Sequence, residues 1–123
     1  MKKLKTFAAL LVLVAIPFVS VNAYDMKNVV AYPVPFNPKK DTMQLGEPDP
    51  STYLNSVPVE AVIYDINGDV VRTLSGTGPR LSWNGRDGNG RYVKPGLYLI
   101  KITAEDPSTG DYGKKIIRIL VDY

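Results

Sequence analysis

Two residue types are missing from this chain, and each absence removes chemistry. None of the 123 residues is a cysteine, so no disulfide staples the fold and no thiol serves as a nucleophile. None is a histidine, which takes away the commonest general base and a frequent metal ligand. Histidine-based triads, thiol catalysis and ordinary zinc centres are excluded together. Tryptophan occurs once, at Trp83. Beyond residue 23 there is no sustained helical period of apolar residues. Stability must come from packed aliphatic and aromatic side chains.

The start of the chain carries an export pattern. Met1-Lys2-Lys3-Leu4-Lys5 is basic, Phe7 to Val19 is apolar apart from Pro17, and Val21-Asn22-Ala23 places small residues where a signal peptidase reads. This layout predicts a signal peptide over 1–23, cleaved after Ala23. The apolar run of thirteen is shorter than the roughly 17–25 residues a spanning helix needs, so no membrane span is expected once the signal is removed. Cleavage leaves one domain over 24–123, 100 residues long, enough for a single core. Lys2, Lys3 and Lys5 depart with the signal, leaving 12 basic residues against 12 acidic ones. The basic balance therefore belongs to the export signal, and no nucleic-acid partner is expected.

What remains reads as short strands. Runs rich in Val, Ile, Leu and Tyr alternate with Gly, Pro, Asn and Asp clusters. They predict strands over Asn28–Tyr32, Thr42–Leu45, Val59–Ile66, Val70–Ser75, Arg80–Trp83, Gly96–Ala104 and Lys114–Val121. Seven strands without intervening helices indicate an all-β, seven-stranded antiparallel sandwich of Ig or fibronectin-III type. Val59, Ala61 and Ile63 share one face of their strand, as do Tyr98, Ile100 and Ile102. The last strand is apolar on both faces, Ile116 and Leu120 opposing Ile117, Ile119 and Val121, and the pattern alone leaves its inward face open.

The punctuation is specific. Asn67-Gly68 suits a two-residue type I′ hairpin, and Pro95-Gly96 suits the centre of a type II turn. Pro33, Pro35 and Pro38 place their segment at an edge or outside a sheet. Gly46 to Pro58 is a thirteen-residue loop with three prolines, and its Tyr53 and Leu54, together with Tyr92, are the candidate partner contacts. The glycines of Asn84–Arg91, among them Gly85 and Gly90, supply positive φ while Asp87 and Asn89 cap backbone amides. Asp87 is that loop's only carboxylate, far short of the six to eight oxygens calcium takes, so no metal or other cofactor is expected. Trp83 is expected in the core rather than as a sugar-stacking platform. Tyr98 follows a turn as a tyrosine corner does. The acid pairs Glu47 with Asp49, and Glu105 with Asp106, read as solvated turn residues, with no cleft to separate their pKa values.

Three stretches in order carry a family likeness. They are Ala31-Tyr32-Pro33-Val34-Pro35-Phe36-Asn37-Pro38, then Ile63 to Leu74 around Tyr64-Asp65-Ile66-Asn67-Gly68, then Trp83-Asn84-Gly85-Arg86-Asp87-Gly88-Asn89-Gly90 running on to Tyr98. Together they resemble the immunoglobulin-like domain of the flagellar hook-capping protein FlgD, related to the C-terminal sorting domains of type IX secretion cargo. The resemblance implies an Ig-type sandwich and a general role of docking onto other proteins. The expected function is an exported, non-enzymatic interaction or structural module of the cell envelope or cell surface, periplasmic or secreted. A type IX sorting-type domain is one alternative. The other is a small carbohydrate-binding module using Tyr53, Tyr92 or an exposed Trp83.

Overall fold

The computed structural model of the chain describes residues 24–49 and 56–123. The expected signal peptide and two of the candidate contacts, Tyr53 and Leu54, lie outside the described residues. Seven strands form: β1 Val30–Tyr32, β2 Met43–Gly46, β3 Pro58–Tyr64, β4 Val70–Thr77, β5 Arg80–Trp83, β6 Gly96–Glu105 and β7 Tyr112–Val121. They build two antiparallel sheets, ordered β1-β2-β5 and β4-β3-β6-β7. The fourth strand thus lies beside β3 in the larger sheet, whereas a constant-type Ig domain places it on the other one.

The core lies between the sheets. Val59, Ala61 and Ile63 point inward from β3, and Tyr98, Ile100 and Ile102 from β6, all buried. Residues directly opposite in a ladder share a face. The pairing of Ile100 with Ile117, Tyr98 with Ile119 and Gly96 with Val121 therefore fixes the inward face of β7. From the smaller sheet Met43, Leu45, Leu81 and Trp83 close the core. Phe36 packs tilted against Trp83 at 5.6 Å, and Tyr98 meets Trp83 edge-on at 6.5 Å between ring centroids. Phe36 reaches this position because the proline-rich segment leaves the β1-β2 pair. It then bridges β7 in parallel, donating its N–H to Leu120 O and accepting from Asp122 N.

Three local expectations need correction. Asn67-Gly68 does not form a type I′ turn, because Asn67 keeps a negative φ and only Gly68, at +85°, is left-handed. The loop is wider: Gly68 N donates to Asp65 O, Asp65 N donates to Asp69 O, and the Asp65 carboxylate accepts from the backbone of both Asn67 and Asp69. A carboxylate taking two amides offsets what the tighter turn would have gained. Pro95-Gly96 is not a type II turn either. Gly96 has a φ of +149°, far from the roughly +80° of that turn, and the Lys94 carbonyl that would close it is taken by the Tyr98 hydroxyl at 2.6 Å. Finally, Glu47 is buried rather than solvated: it directly follows β2, which runs to Gly46, and its N–H donates to Pro79 O.

Candidate interaction surfaces

The Asn84–Arg91 stretch is the tip of a small hairpin. Trp83 anchors it from below, donating its indole N–H to Arg86 O at 3.0 Å. Gly85 turns at a φ of +75° with Pro38 and Phe36 packed against its α-carbon, a place no side chain fits. Val93 N closes on Gly85 O, and Arg86 pairs with Tyr92. At the tip, Asp87 repeats the Asp65 device: its N–H donates to Arg91 O, its carboxylate accepts from Asn89 N and Arg91 N, and Gly90 N donates to Asp87 O. The amide of Arg91, followed by that of Asn89 and the Arg91 and Arg72 charges, holds the Asp87 carboxyl below the usual aspartate range against a smaller desolvation effect. Asp87 is therefore an ionised turn clamp. Among the described residues no group of three or more acidic side chains converges as a metal site would require.

A bulge in β4 secures this hairpin to the other sheet. Ile63 pairs with Arg72 but Tyr64 with Val70, leaving Val71 as the extra residue. Its carbonyl accepts from Gly88 N, and the Arg72 guanidinium donates to Asp87 O at 3.3 Å.

Tyr92 sits on the hairpin's flank in a cluster of cations and rings. The Arg86 guanidinium lies 4.1 Å over its ring, Tyr123 is 6.4 Å away between centroids, and Lys39 lies 4.6 Å over the Tyr123 ring. Tyr123 is itself held by its hydroxyl donating to Val93 O. With Arg86 over one face, Tyr92 is a poor sugar platform, and Trp83 is fully buried. A cleft of about 620 Å³ opens beside this cluster, lined by residues of mixed charge including Asp65, Asp87, Arg91 and Lys94.

The surface that sequence reasoning did not single out is the outer face of the larger sheet. Leu97, Leu99, Ile116 and Leu120 are 46%, 40%, 59% and 37% exposed there. Leu97 faces Leu120 across the ladder, Leu99 faces Arg118, and Lys101 faces Ile116. Ile66, 77% exposed at the adjacent loop, extends the apolar area. Together with Leu97, Leu99 and Arg118 it lines a shallow pocket of about 240 Å³. Isolated exposed leucines are unremarkable, but contiguous ones on a regular sheet face mark an interaction site. The signal in the sequence was the double-sided apolarity of β6 and β7.

The edges of the larger sheet are less available. Phe36 covers one end of β7, and at its other end Tyr24 N donates to Tyr112 O. Lys115 reaches out to Lys27 O and Val29 O. The 86–88 loop covers the start of β4, leaving its second half as an open edge.

Residues 49–108 match the FlgD Ig-like domain family, so the resemblance read from the motifs holds over that span. No curated protein sequence matches the chain. Among solved structures, one of PorZ from Porphyromonas gingivalis, described as an essential bacterial surface component of the type-IX secretion system, superposes with a TM-score of 0.54 at 22% identity. The alignment covers 77% of this chain and 11% of that one, so the chain corresponds to a small part of PorZ's length. This likeness establishes the sandwich fold.

Proposed function

We propose that the chain is an exported, non-catalytic docking module of the cell envelope or cell surface, binding a partner protein through the outer face of its four-stranded sheet. One observation carries this reading: Leu97, Leu99, Ile116 and Leu120 cluster, exposed, on the outer face of two paired strands, with Lys101 and Arg118 among them. Both neighbouring strands need only one apolar face to hold the core, so the second is free for another use. Burying such a patch stabilises a complex at about 25 cal/mol per Å² before the costs of association. The export pattern at residues 1–23 and the surface role named for PorZ support the compartment. Tyr53 and Leu54 are further contacts in this proposal, from the loop between β2 and β3.

The test is partner capture by the exported protein and by a Leu97→Gln, Leu99→Gln variant. Both side chains point to solvent, so the variant keeps its melting temperature and loses the partner. Retained capture by the variant removes the outer face from the account.

The second reading is a sorting-type domain read by a type IX machine, favoured by the motif order and by the system named for PorZ. A reporter carrying this domain at its C-terminus, in a host with type IX secretion, then appears at the surface. Periplasmic retention of the reporter rejects that reading.

A further inference from the structure

We propose that the partner presents an aspartate or glutamate side chain, set among aliphatic residues, to Arg118. The inference rests on the docking reading above and names the chemistry of its partner.

Arg118 lies within the apolar outer face: Leu99 is directly opposite, Leu97 and Leu120 lie to one side, and Ile116 to the other. Its side chain is exposed, and it has no carboxylate partner among the described residues. A guanidinium offers a planar fork that fits a carboxylate in two parallel hydrogen bonds. Arginine ringed by aliphatic contacts that exclude water is also a frequent hot spot of protein interfaces.

Charge decides between occupants. The outward positions of β6 from Leu97 to Thr103 and of β7 from Lys114 to Leu120 hold three cations, Lys101, Lys114 and Arg118, and no acid. The acid on this side of β3, Glu60, pairs with Thr103, away from the leucines. A second copy docked through the same patch brings cations against a face that holds cations and no acid, and an axis beside Arg118 sets it against its own copy, which disfavours self-association. An anionic bilayer fits less well. Loops flanking the face carry Asp65 and Asp69 at one end and Asp106 and Asp111 at the other, which repel anionic headgroups. A protein surface with one carboxylate among apolar groups complements the patch in both respects.

The test pans a displayed library of random 12-residue peptides against the exported, processed protein, then measures the enriched peptides by fluorescence anisotropy. Expected are peptides with Asp or Glu flanked by aliphatic residues. Their binding weakens at least about tenfold in Arg118→Glu, since removing one member of a buried charge pair costs that much or more, and Arg118→Lys restores part of it. Melting temperature stays unchanged, because Arg118 is exposed and makes no hydrogen bond or ion pair among the described residues. Peptides without acid enrichment that bind Arg118→Glu equally but lose Leu99→Gln overturn the inference and leave the docking reading intact. Peptides insensitive to both variants overturn both. Sedimentation with phosphatidylglycerol vesicles, or a dimer that Arg118→Glu dissolves, also overturns it.

Discussion

The hydroxyl of Tyr98 donates a 2.6 Å hydrogen bond to the carbonyl of Lys94, four residues earlier. That bond ties the β5–β6 connection to the first turn of β6 while the same ring packs on Trp83. It is the tyrosine corner of this sandwich. Burial raises the pKa of the phenol, with Asp65 adding to the effect, so it remains a donor at neutral pH. Tyr98→Phe keeps the packing and orphans the carbonyl. We expect a loss of about 1 kcal/mol, read as a lower urea midpoint at unchanged m-value.

Two glycines separate backbone strain from steric exclusion. Gly68 is left-handed with open space around it, whereas Gly85 is left-handed and pressed against Pro38. Gly68→Ala then costs about 1–2 kcal/mol from φ alone, and Gly85→Ala costs more. Denaturant titration of the two variants checks the order, and equal losses contradict it.

Acid and base limbs of stability follow from different carboxyls. Asp87 and Asp106 lie below the usual aspartate range, held by the Arg91 amide and by Ser108 respectively. Their stabilisation is present above the unfolded value of about 3.9 and fades as pH falls through the lowered folded value. Asp87→Asn therefore flattens the acid limb. Glu47 behaves oppositely: burial, then Asp49 and Asp25, raise its pKa, so the fold prefers its protonated form. That preference is fully present below the unfolded value and is lost as pH rises through the folded one. Glu47→Gln raises the melting temperature at pH 7 and not at pH 4.

The strands are legible because β-branched and aromatic residues cluster between turn formers, and all seven lie within two residues of expectation at each end. The turns were less so. At Asn67-Gly68 the deciding group was the Asp65 carboxylate, two residues before the pair. At Pro95-Gly96 it was the Tyr98 hydroxyl, a contact made only once β6 exists. The outer face escaped because period-two reading assigns residues to faces without saying which face is covered. In β7, where both are apolar, only the pairing with β6 decides. Glu47 differs for a related reason: a loop's composition does not reveal that a residue next to a strand end is buried.

Signal processing is testable independently. Cleavage after Ala23 makes Tyr24 the first residue, leaving its amino group beside the Tyr112 carbonyl that its N–H already contacts. Intact mass of the exported protein should correspond to residues 24–123, and a product retaining Met1 contradicts the reading.

We propose that the outer face of the larger sheet meets a partner protein. The most direct test is site-specific photo-crosslinking in cells that express the protein naturally. The photoreactive residue is placed at position 99 in one strain, 53 in a second and 77, on the open part of β4, in a third. One discrete protein adduct is expected at position 99, abolished by Arg118→Glu, and none at position 77. Absence of any adduct at position 99, with one formed at 53 or 77, contradicts the proposal.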